Sequence, residues 1–254
     1  MARAAIRAPN YRGGKGVSEL LEVRALSKRF GGLLANQEIS FAISAAEIVG
    51  LIGPNGAGKT TLFNCIAGFY RPSDGSVFLE GAEVTGASPE KMAHLGVART
   101  FQLVRTFATM TALENITVAT LIRDKRLSMA RKRANAALEF CGLSPRAAIP
   151  AGSLTVAEQR RLEVARALGL EPKLLLLDEV MAGLNPAEVK EAAALVQKIR
   201  ARGIACLIVE HVMEGIMPIA NRVIVLDYGR KIAERSPDEV RRNPGVIAAY
   251  LGEA

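Results

Sequence analysis

From about residue 20 onward, short apolar and β-branched runs alternate with amphipathic stretches, the pattern of an α/β protein with a buried sheet. "LLEVRAL" and "ISFAIS" predict the first strands, and "EIVGLI" (47–52) a third that ends in a glycine-rich turn. "GSVFLEG", following the turn "SDG", reads as a hairpin arm. Further strands are predicted at "LLLLD" (174–178), "IACLIVE" (204–210) and "RVIVLDYGRKIAE" (222–234), the last a hairpin around Tyr228–Gly229. Pro186 sits where a helix can begin, and 187–201 keeps apolar residues near helical spacing. Between about 108 and 165 the strand signal disappears. There 127–141 and 157–170 read as helices joined by "GLSPRAAIPAGS", a helical insertion within an α/β domain without internal repeats.

The chain has 254 residues, half of them hydrophobic, enough for one substantial core. No uncharged apolar run approaches the ~18–20 residues of a membrane-spanning helix. The start, "MARAAIRAPNYRGGKG", is basic but has no apolar block behind it, so it reads as a flexible tail and not a secretory signal. Cys65, Cys141 and Cys206 are far apart with no metal-ligand spacing, as buried thiols of a reducing cytosol would be. His94 and His211 are too sparse for a metal site, so no structural metal is expected.

The net charge of +8 is local. Arg3, Arg7, Arg12 and Lys15 crowd the first 16 residues, and "RDKRLSMARKR" (123–133) carries six basic residues against Asp124, leaving the rest nearly neutral. A solvated helix face is the plain reading of 123–133, an anionic membrane surface the next and nucleic acid the third. No nucleic-acid partner is expected.

"GPNGAGKTT" (53–61) matches G-x-x-x-x-G-K-[ST], and the strand before it and helix after it supply the context that gives the pattern meaning. Gly53, Pro54, Asn55, Gly56, Ala57 and Gly58 form a turn whose glycines let backbone N–H groups curl around phosphate oxygens. Lys59 can reach the β- and γ-phosphates of ATP, Thr60 offers a hydroxyl to Mg²⁺, and Thr61 continues into a helix whose positive end faces the ligand. "LLLLDE" (174–179) supplies a buried strand ending in Asp178, a candidate metal holder, and Glu179, a candidate to polarise an attacking water.

In this order the phosphate loop, Gln102 in "RTFQ", "LTVAEQRR", "LLLLDE", "GLN" and "EH" resemble the nucleotide-binding subunit of ATP-binding-cassette (ABC) transporters, over nearly the whole chain from about residue 20. "RFGGLLA" (29–35), "GPNGAGKTTLFNCIAGFYRPSDG" (53–75), "AGLNP" (182–186) and "NPGVIAAYLGEA" (243–254) are similar to the ATPase subunits of branched-chain amino-acid importers. The resemblance implies a P-loop ATPase core with a mixed sheet, an antiparallel β subdomain and an inserted helical subdomain at about 108–165. Residues 18–254 would form one ATPase domain with a C-terminal tail at about 236–254, after a basic tail at 1–17.

It also implies roles. Phe30 would stack on adenine, the alternative being a core phenylalanine. Gln102 would join Thr60 and Asp178 around Mg²⁺ and link the attacking water to the helical insertion. His211 would touch the γ-phosphate and hold the water with Glu179. Leu154, Thr155, Val156, Ala157 and Glu158 would be the signature that meets a partner subunit's ATP, Thr155 donating to a γ-phosphate oxygen. Ala157 stands where the family keeps glycine. Either the residue has ordinary helical φ and alanine is compatible, or its Cβ weakens the approach to phosphate by ~1–3 kcal/mol. The second reading points to a heterodimer with another ATPase subunit. Membrane permease subunits and a periplasmic binding protein would complete an importer at the cytoplasmic face of the inner membrane. The rival readings are a lipid or lipopolysaccharide exporter ATPase and a soluble ABC protein acting on ribosomes or DNA. The cargo is not legible in this chain.

Overall fold

The computed structural model describes residues 19–101, 106–123 and 125–251; the basic tail at 1–17 lies outside them. Strands β1 (Glu19–Phe30), β2 (Leu33–Ser44), β4 (Asp74–Leu79) and β5 (Ala82–Glu83) form an antiparallel sheet in the order β2-β1-β4-β5. In β2, Ile39, Phe41 and Ile43 are buried at every second position, the period that puts one face on a core.

A second, six-stranded sheet has the order β10-β9-β3-β8-β7-β6, formed by β3 (Ile48–Ile52), β6 (Val97–Arg99), β7 (Leu174–Asp178), β8 (Ala205–Val209), β9 (Arg222–Asp227) and β10 (Arg230–Arg235). Its neighbours are parallel except for β9 and β10, which pair as the hairpin expected around Tyr228–Gly229. Every residue of β3, β7 and β8 is buried, because both faces of this sheet are covered.

One face carries Val49, Leu51, Leu174, Leu176, Leu207 and Ile224, packed with Leu62, Phe63 and Ile66 of α1 (Lys59–Ile66) and the inner face of the antiparallel sheet. The other carries Ile48, Leu175, Leu177, Ile208 and Val225, packed against the helices α3 (Ala112–Thr120), α4 (Leu127–Phe140), α5 (Val156–Leu168) and α6 (Pro186–Ala201). Short helices α7 (Met213–Ile216), α8 (Pro237–Arg241) and α9 (Pro244–Leu251) complete the chain after β8.

The hydrophobic pattern missed α2 (Pro89–Leu95) and β6, since Met92 is the one buried residue of α2 and β6 spans three positions. Gly96, with φ +98°, caps the end of α2. Met110 offers its carbonyl to Ala151 N–H at 2.9 Å and to Asn115 Nδ2 at 3.1 Å. The basic stretch is not uniformly a solvated face. Lys125, Arg126, Arg131 and Lys132 are exposed, but Arg123 donates to the carbonyls of Leu170, His94 and Ala93, tying the end of α3 to neighbouring turns.

Parallel pairing aligns the strand ends. Leu51 and Asp178 each register with Val209, so the loops after β3, β7 and β8 leave the same carboxyl edge side by side. That edge is where α/β sheets place ligand chemistry.

Candidate nucleotide-binding site

Gly53 leaves β3 with φ +150°, and a Cβ there would sit 2.1 Å from the Leu226 carbonyl oxygen of β9. Gly58 has φ +93°, and its Cβ would lie 2.4 Å from Ala35 O and 2.5 Å from Asn36 Nδ2 of β2. Only glycine fits between these strands. Asn36, fully buried, donates to Gly58 O at 3.1 Å, and Gly229 N–H donates to Ala57 O at 3.1 Å. The turn is therefore clamped by β2 and by the β9–β10 hairpin. Asn55 and Gly56 stay exposed at its crest, Pro54 is half-buried and Ala57 is buried.

Gly58 caps α1 without a side-chain hydrogen bond, and the first turn holds no acid. Its leading amides are thus available to an anion, and the helix dipole favours one. Lys59 is nearly buried, its Nζ donating to Gly53 O at 2.6 Å and Pro54 O at 2.9 Å. Burial lowers its pKa from the usual lysine range, and the nearby charges of Glu179 and Asp178 oppose that shift. Thr60 is exposed, with Thr61 half-buried beside it.

Asp178 ends β7, buried, with Oδ2 accepting from Arg99 Nη2 at 3.0 Å. Its N–H donates to Thr100 Oγ1 at 2.9 Å. Burial raises its pKa, and the Arg99 charge works against the rise. Arg99 also donates to Asn64 Oδ1 of α1 at 2.5 Å and lies over the rings of Phe63, Phe69 and Phe101. One guanidinium thus joins α1, β6 and β7. Glu179 follows in the left-handed region at φ +51°, a strained setting for a residue with a side chain. Its Oε1 lies 3.1 Å from His211 Nε2, on the loop after β8. Three separated segments therefore converge: the glycine turn running into α1, the end of β7 and the loop after β8. Gln102 lies outside the described residues.

Phe30 ends β1 at the tip of the hairpin whose return strand carries Ala35 and Asn36 against Gly58. At 41% exposure its ring is no core phenylalanine. It meets Tyr70 edge-on at 5.3 Å, and Lys28 Nζ lies 4.9 Å from its centre.

The signature segment has a different character. Thr155 is the N-cap of α5, accepting from Glu158 N–H at 3.2 Å, while Glu158 accepts from Thr155 N–H at 2.9 Å and Arg146 Nε at 2.6 Å. The Thr155 N–H and then Arg146 hold the Glu158 carboxyl below the usual glutamate range. Leu154 is buried beneath the cap, and Val156 is 56% exposed. Ala157 is 6% exposed, in the first turn of α5, with ordinary helical backbone. Its methyl is turned away from solvent, and the backbone carries no positive φ at the helix start. Alanine therefore carries no backbone strain at this position. Asn185 caps α6, accepting from Ala187 and Glu188 N–H.

Sequence reasoning did not mark Arg99, Thr100 or Glu210. The first two lie inside "RTFQ", read only for its glutamine, and Glu210 is a charge closing the apolar run "IACLIV".

A glycine turn opening a helix at the carboxyl edge of a parallel sheet, with an aspartate and a glutamate at the end of a nearby strand, defines a P-loop nucleoside triphosphatase. A family model described as ABC transporter matches residues 36–182, and one described as branched-chain amino acid ATP-binding cassette transporter matches residues 230–254. The chain is 42% identical over 253 residues to BraF, the high-affinity branched-chain amino acid transport ATP-binding protein of Pseudomonas aeruginosa. It is 43% identical over 251 residues to LivG of Escherichia coli, of the same description. Each alignment covers 92% of this chain and 98% of the relative. The ADP conformation of an ATP-binding cassette of an ABC transporter superposes with a TM-score of 0.85 at 31% identity, covering 92% of this chain and 99% of that one. The chain belongs to the ABC transporter family, as an ATP-binding subunit that hydrolyses ATP.

Proposed function

We propose that this chain drives a branched-chain amino-acid importer, hydrolysing Mg-ATP in a pair with a second ATPase subunit beneath membrane permease subunits. A periplasmic binding protein would deliver the cargo, and the chain would sit peripherally on the cytoplasmic face of the inner membrane. Among the described residues no helix is long and apolar enough to cross a membrane, so permeation is assigned to other chains. The observation that carries the cargo assignment is the C-terminal match at 230–254. That segment supplies none of the residues assigned to ATP, although β10 and Tyr250 lie against the phosphate turn, so ATP chemistry alone does not account for its likeness. We read residues 18–254 as one ATPase domain, with 108–165 as its helical insertion.

Phe30 takes the adenine face and the amides of 56–61 take the phosphates. Lys59, held on two loop carbonyls, turns its ammonium to the γ-phosphate when ATP arrives. The oxygen donors Thr60 and Asp178, at the uncapped start of α1 and the end of β7, fit a hard divalent cation, and Gln102 is assigned to the same shell. Bound there, Mg²⁺ would neutralise charge on the phosphates. Glu179 orients and polarises the attacking water, and His211, 3.1 Å away, fixes that carboxylate and reaches the γ-phosphate. The partner subunit's ATP is met by Thr155, whose oxygen is used as a cap and whose proton is free to be donated, and by the amides at the start of α5. The assignment to a heterodimer rests on the resemblance and on Ala157, whose methyl stands where the family keeps glycine.

Deleting the chain should abolish uptake of radiolabelled leucine, isoleucine and valine, and the wild-type gene should restore it. Normal uptake in the deletion strain overturns the cargo. LptB of Acidithiobacillus ferridurans, a lipopolysaccharide export system ATP-binding protein, is 33% identical over 237 residues. A lipopolysaccharide defect with intact uptake would move the assignment there.

A further inference from the structure

Glu210 is completely buried at the end of β8, whose five residues are all apolar. A carboxylate in such a place is costly unless its oxygens are hydrogen-bonded. Both are. Oε1 accepts from Met181 N–H at 2.7 Å and Oε2 from His211 N–H at 3.3 Å. Burial pushes the carboxyl up to about 7, and the amides of Met181, Val212 and His211 hold it back from rising further. The two amides belong to the two segments that carry the chemistry. Met181 is two residues beyond Glu179, on the strained loop after β7, and His211 is the other half of the pair 3.1 Å apart.

Val180 and Met181 anchor the loop after β7 through their buried side chains, and its backbone is tied to β8 as well. Glu179 N–H donates to Val209 O at 2.9 Å, and beyond that point the parallel pairing of β7 with β8 has ended. Glu210 continues the join from the β8 side with a side chain. We propose that Glu210 is a positioning residue for hydrolysis, a buried bolt between the Glu179 loop and the His211 loop that sets the geometry of the catalytic pair. This rests on the reading that Glu179 and His211 act on the water and the γ-phosphate. Glu210 itself touches neither.

Two replacements separate positioning from structure. Glu210→Gln keeps an oxygen for one amide but sets an NH₂ group against the other. Glu210→Leu removes the buried charge and both acceptors. In the assembled transporter each variant should lower kcat by about tenfold or more while leaving KM and the Kd for Mg-ATP within about twofold. Thermal midpoints verify that the variants are folded, and Glu210→Asp, with a shortened carboxylate, serves if neither is. Wild-type kcat in any folded variant overturns the proposal, as does a loss carried by KM and Kd. Glu179→Gln is measured alongside. If it leaves hydrolysis intact, the reading of the site fails. If it abolishes hydrolysis and the Glu210 variants do not, only the bolt fails.

Discussion

The phosphate loop and the signature helix are both helix N-termini suited to an anion, yet they are built in opposite ways. The first is assembled from a distance. Its glycines fit against carbonyls of β2 and β9, its lysine is held by the loop itself, and its acidic partners come from β7 more than a hundred residues on. The second is local: Thr155, Glu158 and Arg146 lie within one short stretch, and the exposed cap faces outward. The phosphate loop has Asp178, Glu179 and His211 brought to its side from distant strand ends, whereas the segment at 154–158 offers the Thr155 hydroxyl and the amides that open α5. On the proposed reading, such a chain builds most of one ATP site and offers the edge of another.

That contrast can be broken by mutation. Glu179→Gln should lower phosphate release by about 10²–10⁴-fold with ATP binding retained, which a parallel measurement of turnover and nucleotide affinity checks. Removal of Arg99 strikes the long-range construction. Arg99→Ala leaves Asp178 buried without its cation and should cost about 3 kcal/mol in urea denaturation. A loss under about 1 kcal/mol would mean the junction of α1, β6 and β7 does not depend on that pair. At the signature, Thr155→Ala should cost only about 1 kcal/mol of stability, the value of a cap. It should also slow hydrolysis in the dimer without changing this chain's own affinity for ATP. Ala157→Gly is expected to be the mildest, with hydrolysis within about twofold and a loss of about 0.5–1 kcal/mol from added backbone freedom. A several-fold gain in hydrolysis would restore the view that the alanine methyl obstructs the partner's phosphate.

The same contrast explains what the sequence made legible. "GPNGAGKTT" and "LLLLDE" are contiguous strings whose flanking strands announce themselves through apolar runs, so the turn, Lys59, Asp178 and Glu179 could be read directly. Arg99 could not, because its tie to Asp178 arises only when β6 pairs with β7 across 79 residues of chain. Glu210 closes an apolar run as a single charge, and nothing in the string shows that its carboxylate turns inward. The setting of Ala157 was not legible for a local reason. Beginning α5 at Val156 turns Val156 outward and Ala157 into the core, a matter of helical phase that a motif match does not carry. α2 and β6 stayed invisible because neither buries enough apolar positions to establish a period.

The central claim is that this chain grips the terminal phosphates of ATP at its own glycine turn. Equilibrium binding of Mg-ATP to the purified chain, with Glu179→Gln to prevent turnover, tests it most directly when repeated with Lys59→Ala. One ATP should bind per chain, with an affinity lowered by about tenfold or more once Lys59 is gone. Equal affinity with and without that lysine would contradict it.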